Sequence, residues 1–375
     1  MKFKYIRFIL VYLSRCGMPE LWLDYGQAEI VIDIRSENLH RQICKPMPIT
    51  MNNKQQIFEK LNSINIEHFT KIVVFEDTGT ILQIIYLIFD IFNKKLKLLP
   101  QILVPDEIFQ SIKNKIPRAK IEKFCEIPNE KFILINDAHF DGLFGFSTAA
   151  TELLKRSKKQ DLLLSAYRKR HGDLPAPGKQ TIPLKLAREF VANLDVVSIE
   201  IITDSNNVHD IIITHPSSIS SLSKSLMSSC INIGKQNAMI INYGNNEKPT
   251  FQNTLEALWN CSSTIANNGI AILISECSCG IGSNAIRRLI ERRFNVDSLK
   301  DPIEYINGME NLLFLSELNK KIKIGLVSIL PLYYINQLNL FSFHNGNSSL
   351  DYILSNKGIK QKITVVFNAR RILLK

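Results

Sequence analysis

Within the first half of the chain a short, almost wholly apolar run is followed each time by a polar or glycine-bearing turn and then by residues at helical spacing. "KIVVFEDTGT" leads into "ILQIIYLIFDIFNKKL", "QILVPDE" into "EIFQSIKNKI", and "KFILINDAHFDG" into "STAATELLKR". A strand apolar at nearly every position is covered on both faces, and a helix between consecutive strands is the crossover that parallel pairing requires. The pattern therefore predicts a doubly wound α/β sheet. A second series comes later, with strands at "AMIINYG" (238–244), "IAILISEC" (270–277) and "IKIGLVSIL" (322–330) and helices at "TLEALWNCSSTIANNG" and "SNAIRRLIERRF".

Two further segments read as hairpins. "LWLDYG" and "AEIVIDI" alternate on either side of Gly26, and the β-branched runs of "VVSIEIITDSNNVHDIIIT" flank a turn. A chain of 375 residues exceeds the usual size of one hydrophobic core. The expectation is two α/β domains facing each other across a cleft. They are an N-terminal one over 18–215 and a C-terminal one over 222–362, with a Pro-Ser-rich hinge at 216–221 and a closing strand over 363–375. Residues 1–17 read as an extension that packs little, because "FILVYL" is a short apolar centre and Arg15 interrupts the stretch after it.

Forty-six Lys and Arg against thirty-five Asp and Glu give a net charge of +11. The excess lies in short runs, "KRSKK", "RKRH", "RRLIERR" and "ARR", within amphipathic patterns and without interleaved aromatics. Solvated helix faces explain them better than a nucleic-acid surface. No apolar span reaches the roughly 20 residues of a bilayer-crossing helix, so no membrane partner is expected. Seven scattered cysteines in a chain of this size suit a reducing cytoplasm.

In open α/β sheets ligands gather beyond the carboxyl ends of the strands. Four segments fall there: Asp77 to Thr80, Asp137 to Gly142, Asn242 to Asn246 and Glu276 to Ser283. His139, beside Asp137 and Asp141, has the chemistry of a general base, a backbone-satisfied ring being the structural alternative. Asp77 and Thr78 suit a ribose or a metal-bound water, or else a helix cap. "ECSCGIGS" lacks the Lys of a phosphate loop and the second ligand pair of a zinc site. It reads as a strand end, glycine turns at Gly280 and Gly282, and a helix capped by Ser283.

The order of these pieces resembles the nickel-dependent lactate racemase (LarA-like) family from Met18 to the C-terminus. "NNGIAILISECSCGIGS" is similar to that family's Gly-Gly, apolar strand, Glu-Cys-x-x-Gly-x-Gly. "FEDTGT" stands where the family has Asp-x-Thr-Arg, and "HFDGLFGFS" resembles its His followed by Gly-Phe-Ser-Gly-Gly; "PGKQTIPLKLAREF" matches its Gly, Pro and amphipathic helix. The resemblance implies two α/β domains holding a nickel-pincer nucleotide, and racemisation or epimerisation of 2-hydroxy acids by removal and return of hydride. The chain departs from the pattern where that chemistry is carried. Gly79 replaces the phosphate-clamping Arg, and Thr151 falls at the cofactor-tethering Lys, with Lys155 a helical turn later. One of the two acid/base histidines has no counterpart. The metal-binding His is missing near "LLLSAY", with His171 a few residues on, and Glu256 and Trp259 replace the substrate-binding Gln and Lys.

The resemblance thus implies a divergent member that takes a small anionic or nucleotide-like ligand in its cleft, the nickel-pincer chemistry lost. His139 is the candidate catalytic residue, and Asp77, Thr78, Gly280 and Gly282 are the candidate cofactor contacts. No metal ligand is assigned. Two alternatives stay open. One is an active racemase or epimerase with an untethered cofactor, Lys155 or His171 substituting from shifted positions; the other is a basic regulatory or nucleic-acid-binding protein.

Overall fold

The structure, a computed structural model, describes residues 20–44, 53–64, 69, 71–96, 99–204, 207–244 and 249–375. The expected extension over 1–17 and part of the segment Asn242 to Asn246 lie outside these residues.

The chain opens with the hairpin β1 (Glu20–Tyr25) and β2 (Ala28–Asp33), then β3 (Leu39–Ile43). Next come α1 (Asn53–Asn62), β4 (Lys71–Val74), α2 (Gly79–Leu96), β5 (Gln101–Val104), α3 (Asp106–Lys115), β6 (Ile121–Lys123) and β7 (Phe132–Asp137). A short hairpin, β8 (His139–Asp141) and β9 (Gly145–Ser147), leads into α4 (Ala149–Arg156), α5 (Gln160–Arg168) and α6 (Ile182–Val191). The long strands β10 (Val196–Asp204) and β11 (Asn207–Thr214) precede α7 (Ser220–Met227). The remainder runs β12 (Cys230–Ile231), β13 (Gln236–Asn242), α8 (Phe251–Ser262), β14 (Ile265–Ile274), α9 (Asn284–Ile290) and α10 (Met309–Asn319). It closes with β15 (Lys323–Val327), α11 (Leu332–Gln337), β16 (Phe341–Phe343), α12 (Gly346–Lys357), β17 (Ile363–Val366) and β18 (Leu373–Leu374).

These elements form two compact units, each built on a six-stranded sheet. In the second unit, residues 53–230 with Ser298–Ile306, the order is β11-β10-β7-β4-β5-β6, parallel except for the β10–β11 hairpin. Its near-continuous apolar strands are covered on both faces, as their composition requires. Ile72, Val74, Ile133, Ile135, Ile199 and Ile201 meet α1 and α2 on one face, while Val73, Leu103, Phe132 and Leu134 meet α4, α5 and α6 on the other. The first unit joins residues 20–44 to Ile231–Asp297 and Asn307–Lys375 around the wholly parallel sheet β16-β15-β14-β13-β17-β3. Its hairpin contributes Leu21, Leu23, Ile32 and Ile34 to a core with Ala238, Ile240, Ile270, Ile272, Ile363 and Val365.

The α/β class with parallel sheets is as expected, but the boundaries need correction. Residues 18–215 do not make one unit, because β3 pairs in parallel with β17 at the far end of the chain. The closing strand over 363–375 is no appendage either: β17 lies inside the first unit's sheet, between β13 and β3. Helix α7, beyond the expected boundary at 215, packs on β10 of the second unit. The short segment Ser298–Ile306 also belongs there, where Tyr167 Oη donates to the Leu299 carbonyl at 2.6 Å and Tyr305 packs against the core of α4 to α6. Such long-range pairings leave no local mark in a sequence.

Candidate functional site

Several buried polar residues of the second unit, among them Asn136, Asp137, His139, Ser147 and Glu200, lie around the end of β7. All six residues of β7 are buried, and beyond it the chain turns through β8 and β9 into α4. Asp141 closes this turn, its Oδ1 accepting from Leu143 N at 2.8 Å and Phe144 N at 2.7 Å, the local bonding that favours Asp at such positions. Gly145 takes φ +83°, and the place of a Cβ there is 1.9 Å from the Lys179 carbonyl oxygen. Only glycine fits both demands. Thr148 then caps α4, its hydroxyl accepting from Thr151 N while the Thr151 hydroxyl accepts from Thr148 N.

His139 is 5% exposed and stands directly opposite Ser147 in the β8–β9 register. Its Nδ1 lies 2.8 Å from the Asp137 carbonyl oxygen. A carbonyl only accepts, so Nδ1 carries a hydrogen and donates it there. Ser147 Oγ donates to Glu152 Oε1 at 2.9 Å. Lys155 Nζ is bound by two carboxylates, Glu152 Oε1 at 2.8 Å and Asp141 Oδ2 at 3.0 Å, and sits over the Phe144 ring. Burial opposes the charge on Lys155, but the two carboxylates outweigh it and hold the ammonium well above its usual range. The same contact lowers Glu152 against the opposing effect of burial.

Behind α4 lies a carboxylate that the sequence motifs do not single out. Glu200, on β10, is 2% exposed. It accepts from Asn136 Nδ2 and from Ala149 N, each at 2.8 Å. Burial raises it to about 7, against the lowering by those two donors, with Glu152 and Asp137 adding to the rise. The one sequence sign of it is an acid in the middle of the apolar "VVSIEIITD".

Asp77 and Thr78 come after β4, the strand beside β7. Asp77 is the partner of α3, receiving Lys115 Nζ at 2.9 Å and the Ser111 hydroxyl. The helix cap is Thr78, whose Oγ1 accepts from Ile81 N at 3.3 Å and lies 2.9 Å from Thr80 Oγ1. At Gly79 a Cβ would meet nothing within 4 Å, so backbone space does not explain this glycine.

Gly280 and Gly282 belong to the first unit and make the turn expected of them, each at φ +74°. Cys277 precedes them at φ +54°, and Ser283 caps α9 through Ile286 N at 3.2 Å. The loop offers carbonyls to the neighbouring helix. Gly280 O accepts from Phe251 N at 2.8 Å, Ile281 O from Gln252 N at 3.0 Å, and Thr250 Oγ1 from Asn253 N at 3.1 Å. The amides at the start of α8 that would cradle a phosphate are thus bound within the chain. The Cys277 thiol is buried, which raises it, and among the described residues no group of three His, Cys, Asp or Glu is placed to hold a metal ion.

The remaining candidates have ordinary partners. His171 Nε2 is 3.4 Å from Lys179 Nζ. Several residues of the basic runs are paired: Arg156 with Glu107, Arg168 with Asp301, and Arg170 with Asp173. Among the described residues no helix is long and apolar enough to cross a membrane, and the six described cysteines are free.

A nickel-pincer nucleotide, the group the resemblance implies, does not fit this donor set. Thr151, where the resemblance places the tether, has no amine and its hydroxyl is closed within the α4 cap. The nearest lysine, Lys155, is held between two acids, and Asp77 is ion-paired to Lys115.

No model of a known protein family matches the chain, and no curated protein matches it. The fold does match solved structures. The lactate racemase apoprotein from Thermoanaerobacterium thermosaccharolyticum is similar with a TM-score of 0.72 and 12% identity, over 95% of this chain and 100% of that one. A structural-genomics protein from Thermotoga maritima is similar with a TM-score of 0.62 and 11% identity, over 89% of this chain and 100% of that one. At such identities the likeness establishes a LarA-like fold.

Proposed function

We propose that this protein binds a small anionic or nucleotide-like ligand at the carboxyl ends of β4 and β7, and that it has lost nickel-pincer racemase chemistry. The observation that carries the second half is Lys155, whose ammonium is tied to Asp141 and Glu152 at 3.0 and 2.8 Å. A lysine kept protonated is neither a nucleophile nor a tether, because both roles need the free amine. A reaction that depends on tether, metal ligand, base and phosphate clamp as a unit does not survive the loss of most of them. The LarA-like fold supports the first half, since such sheets receive ligands beyond their strand ends.

Intact mass and metal content, measured on protein made alongside the enzymes that build the nickel-pincer cofactor, test the loss of chemistry. The expected result is the unmodified mass without nickel. A nickel-bearing covalent adduct would sink the proposal and require both enantiomers of 2-hydroxy acids to be assayed.

In the ligand site His139 supplies an imidazole oriented by the Asp137 carbonyl, and Thr78 a hydroxyl. With adenosine monophosphate and each enantiomer of lactate as probes, at least one should raise the thermal midpoint of the native protein. His139→Ala should weaken that response at least about tenfold in midpoint concentration, as expected for loss of a hydrogen bond to a charged group. A native protein indifferent to all three, or a variant with an unaltered response, contradicts the assignment.

A further inference from the structure

We propose that the first unit carries a second ligand site, at the carboxyl ends of β13 and β14, which takes a nucleoside by its ribose hydroxyls with Glu276 and Asn242 as the acceptors. It belongs to a different unit from the site at the ends of β4 and β7 and is independent of what that site binds. The sheet order β15-β14-β13-β17 makes β13 the switch point: the chain steps outward from it through β14 and β15, and β17 returns on its other side. Open α/β sheets bind ligands beyond the strand ends at such a point, and an acid further along the chain holds the ribose hydroxyl.

Two acceptors without donors stand there. Asn242, the last residue of β13, is 1% exposed. Its Nδ2 donates to the Asp24 carbonyl at 2.7 Å, which fixes the amide, and its buried Oδ1 receives no hydrogen bond among the described residues. Buried acceptors are ordinarily satisfied, so this oxygen calls for a donor from outside the chain. Glu276 follows β14 and is half-buried, and among the described residues its carboxylate accepts no hydrogen bond and pairs with no cation. It lies against the β1–β2 turn, where a Cβ at Gly26, φ +59°, would overlap Oε2. Asn242 and Glu276 thus reach the same end of one hairpin, at Asp24 and Gly26, and Asn242 stands opposite Ile274 in the strand that Glu276 follows. A carboxylate presents two acceptor oxygens, and a vicinal diol presents two O–H donors to match.

The surroundings select a nucleoside. The first amides of α8 are closed to a phosphate, because Phe251 N and Gln252 N donate to Gly280 O and Ile281 O. Beyond β15, Ile329 donates its amide to the Glu276 carbonyl at 3.2 Å, and Ile329, Leu332 and Tyr333 are each at least half exposed. Apolar side chains beside a few polar acceptors suit a flat base joined to a hydroxylated sugar.

Thermal unfolding of the full-length native protein reads the site with adenosine and uridine as probes, each beside its 2′,3′-dideoxy form. At least one nucleoside should raise the midpoint. Its dideoxy form should need at least about tenfold more for the same rise, because hydrogen bonds to a charged acceptor are lost. Glu276→Gln, which keeps the shape without the charge, should weaken the nucleoside at least about tenfold and narrow the gap between the two forms. Indifference to both nucleosides, equal responses to a nucleoside and its dideoxy form, or a response unaltered in Glu276→Gln overturns the proposal. If Glu276→Gln fails to fold, hydrogen exchange of the native protein with the nucleoside decides: protection gained on peptides covering 20–33 and 270–283 supports the site, and protection confined to other segments overturns it.

Discussion

Lys155→Met is expected to destabilise the second unit by about 3 kcal/mol, at the lower end of the cost of breaking a buried ion pair. The substitution keeps most of the aliphatic volume that lies over Phe144 and removes the ammonium. It leaves Asp141 and Glu152, their side chains 13% and 12% exposed, without the ammonium that pairs with both. The lysine itself is 28% exposed, so water relieves part of the penalty. Denaturant unfolding of the variant measures the loss. Adding Asp141→Asn and Glu152→Gln to Lys155→Met should recover part of it, because neutral amides tolerate burial better than unpaired carboxylates. A variant as stable as the native protein would mean that the lysine is not held, and would reopen it as a reactive amine. The stability experiment thus bears on function.

Gly145→Ala should cost about 3 kcal/mol by a different route. The left-handed backbone charges a non-glycine residue roughly 1–2 kcal/mol, and the overlap with the Lys179 carbonyl adds roughly 1–3 kcal/mol as for overpacking. The clash is with backbone, which cannot swing aside as a side-chain end can. The 176–179 segment is laced to the turn by Ala176 N to Gly142 O and Gly178 N to Gly145 O, both at 2.8 Å. The variant should therefore lower the unfolding midpoint and expose the His139 turn to proteolysis together. Gly280→Ala offers the contrast: its backbone is also left-handed, at φ +74°, but a Cβ there meets nothing within 4 Å, so it should bear the conformational cost alone. Equal losses at the two glycines would show that overlap contributes little.

Much of the architecture is legible along the chain. The run "KFILIND" is apolar at nearly every step, and β7 is buried on both faces. Gly26 marks the turn of β1 and β2, and Thr78 and Ser283 cap the helices after their turns. These are local matters of side-chain period, backbone freedom and short-range hydrogen bonding, so composition and spacing carry them.

The sites are less legible, because their partners are far apart in sequence. Asp77 reads as a cap somewhat sooner than as a ligand contact, and its partner is Lys115 on the next helix. His139 is placed at a strand end by its neighbours, but the orientation of its ring by the Asp137 carbonyl is a matter of geometry. Glu200 carries no motif, and it matters because β10 lies beside β7 and α4 begins above it.

The sequence by itself determined the alternation of strands and helices, the two hairpins and the turn glycines. Only the tertiary structure decided that β3 and β17 share a sheet, that Lys155 is bound between Asp141 and Glu152, and that Glu200 lies buried between two neutral donors. The physical reason is common to all three: pairing of strands and desolvation of charge depend on which distant segments meet, and that contact exists only once the chain has folded.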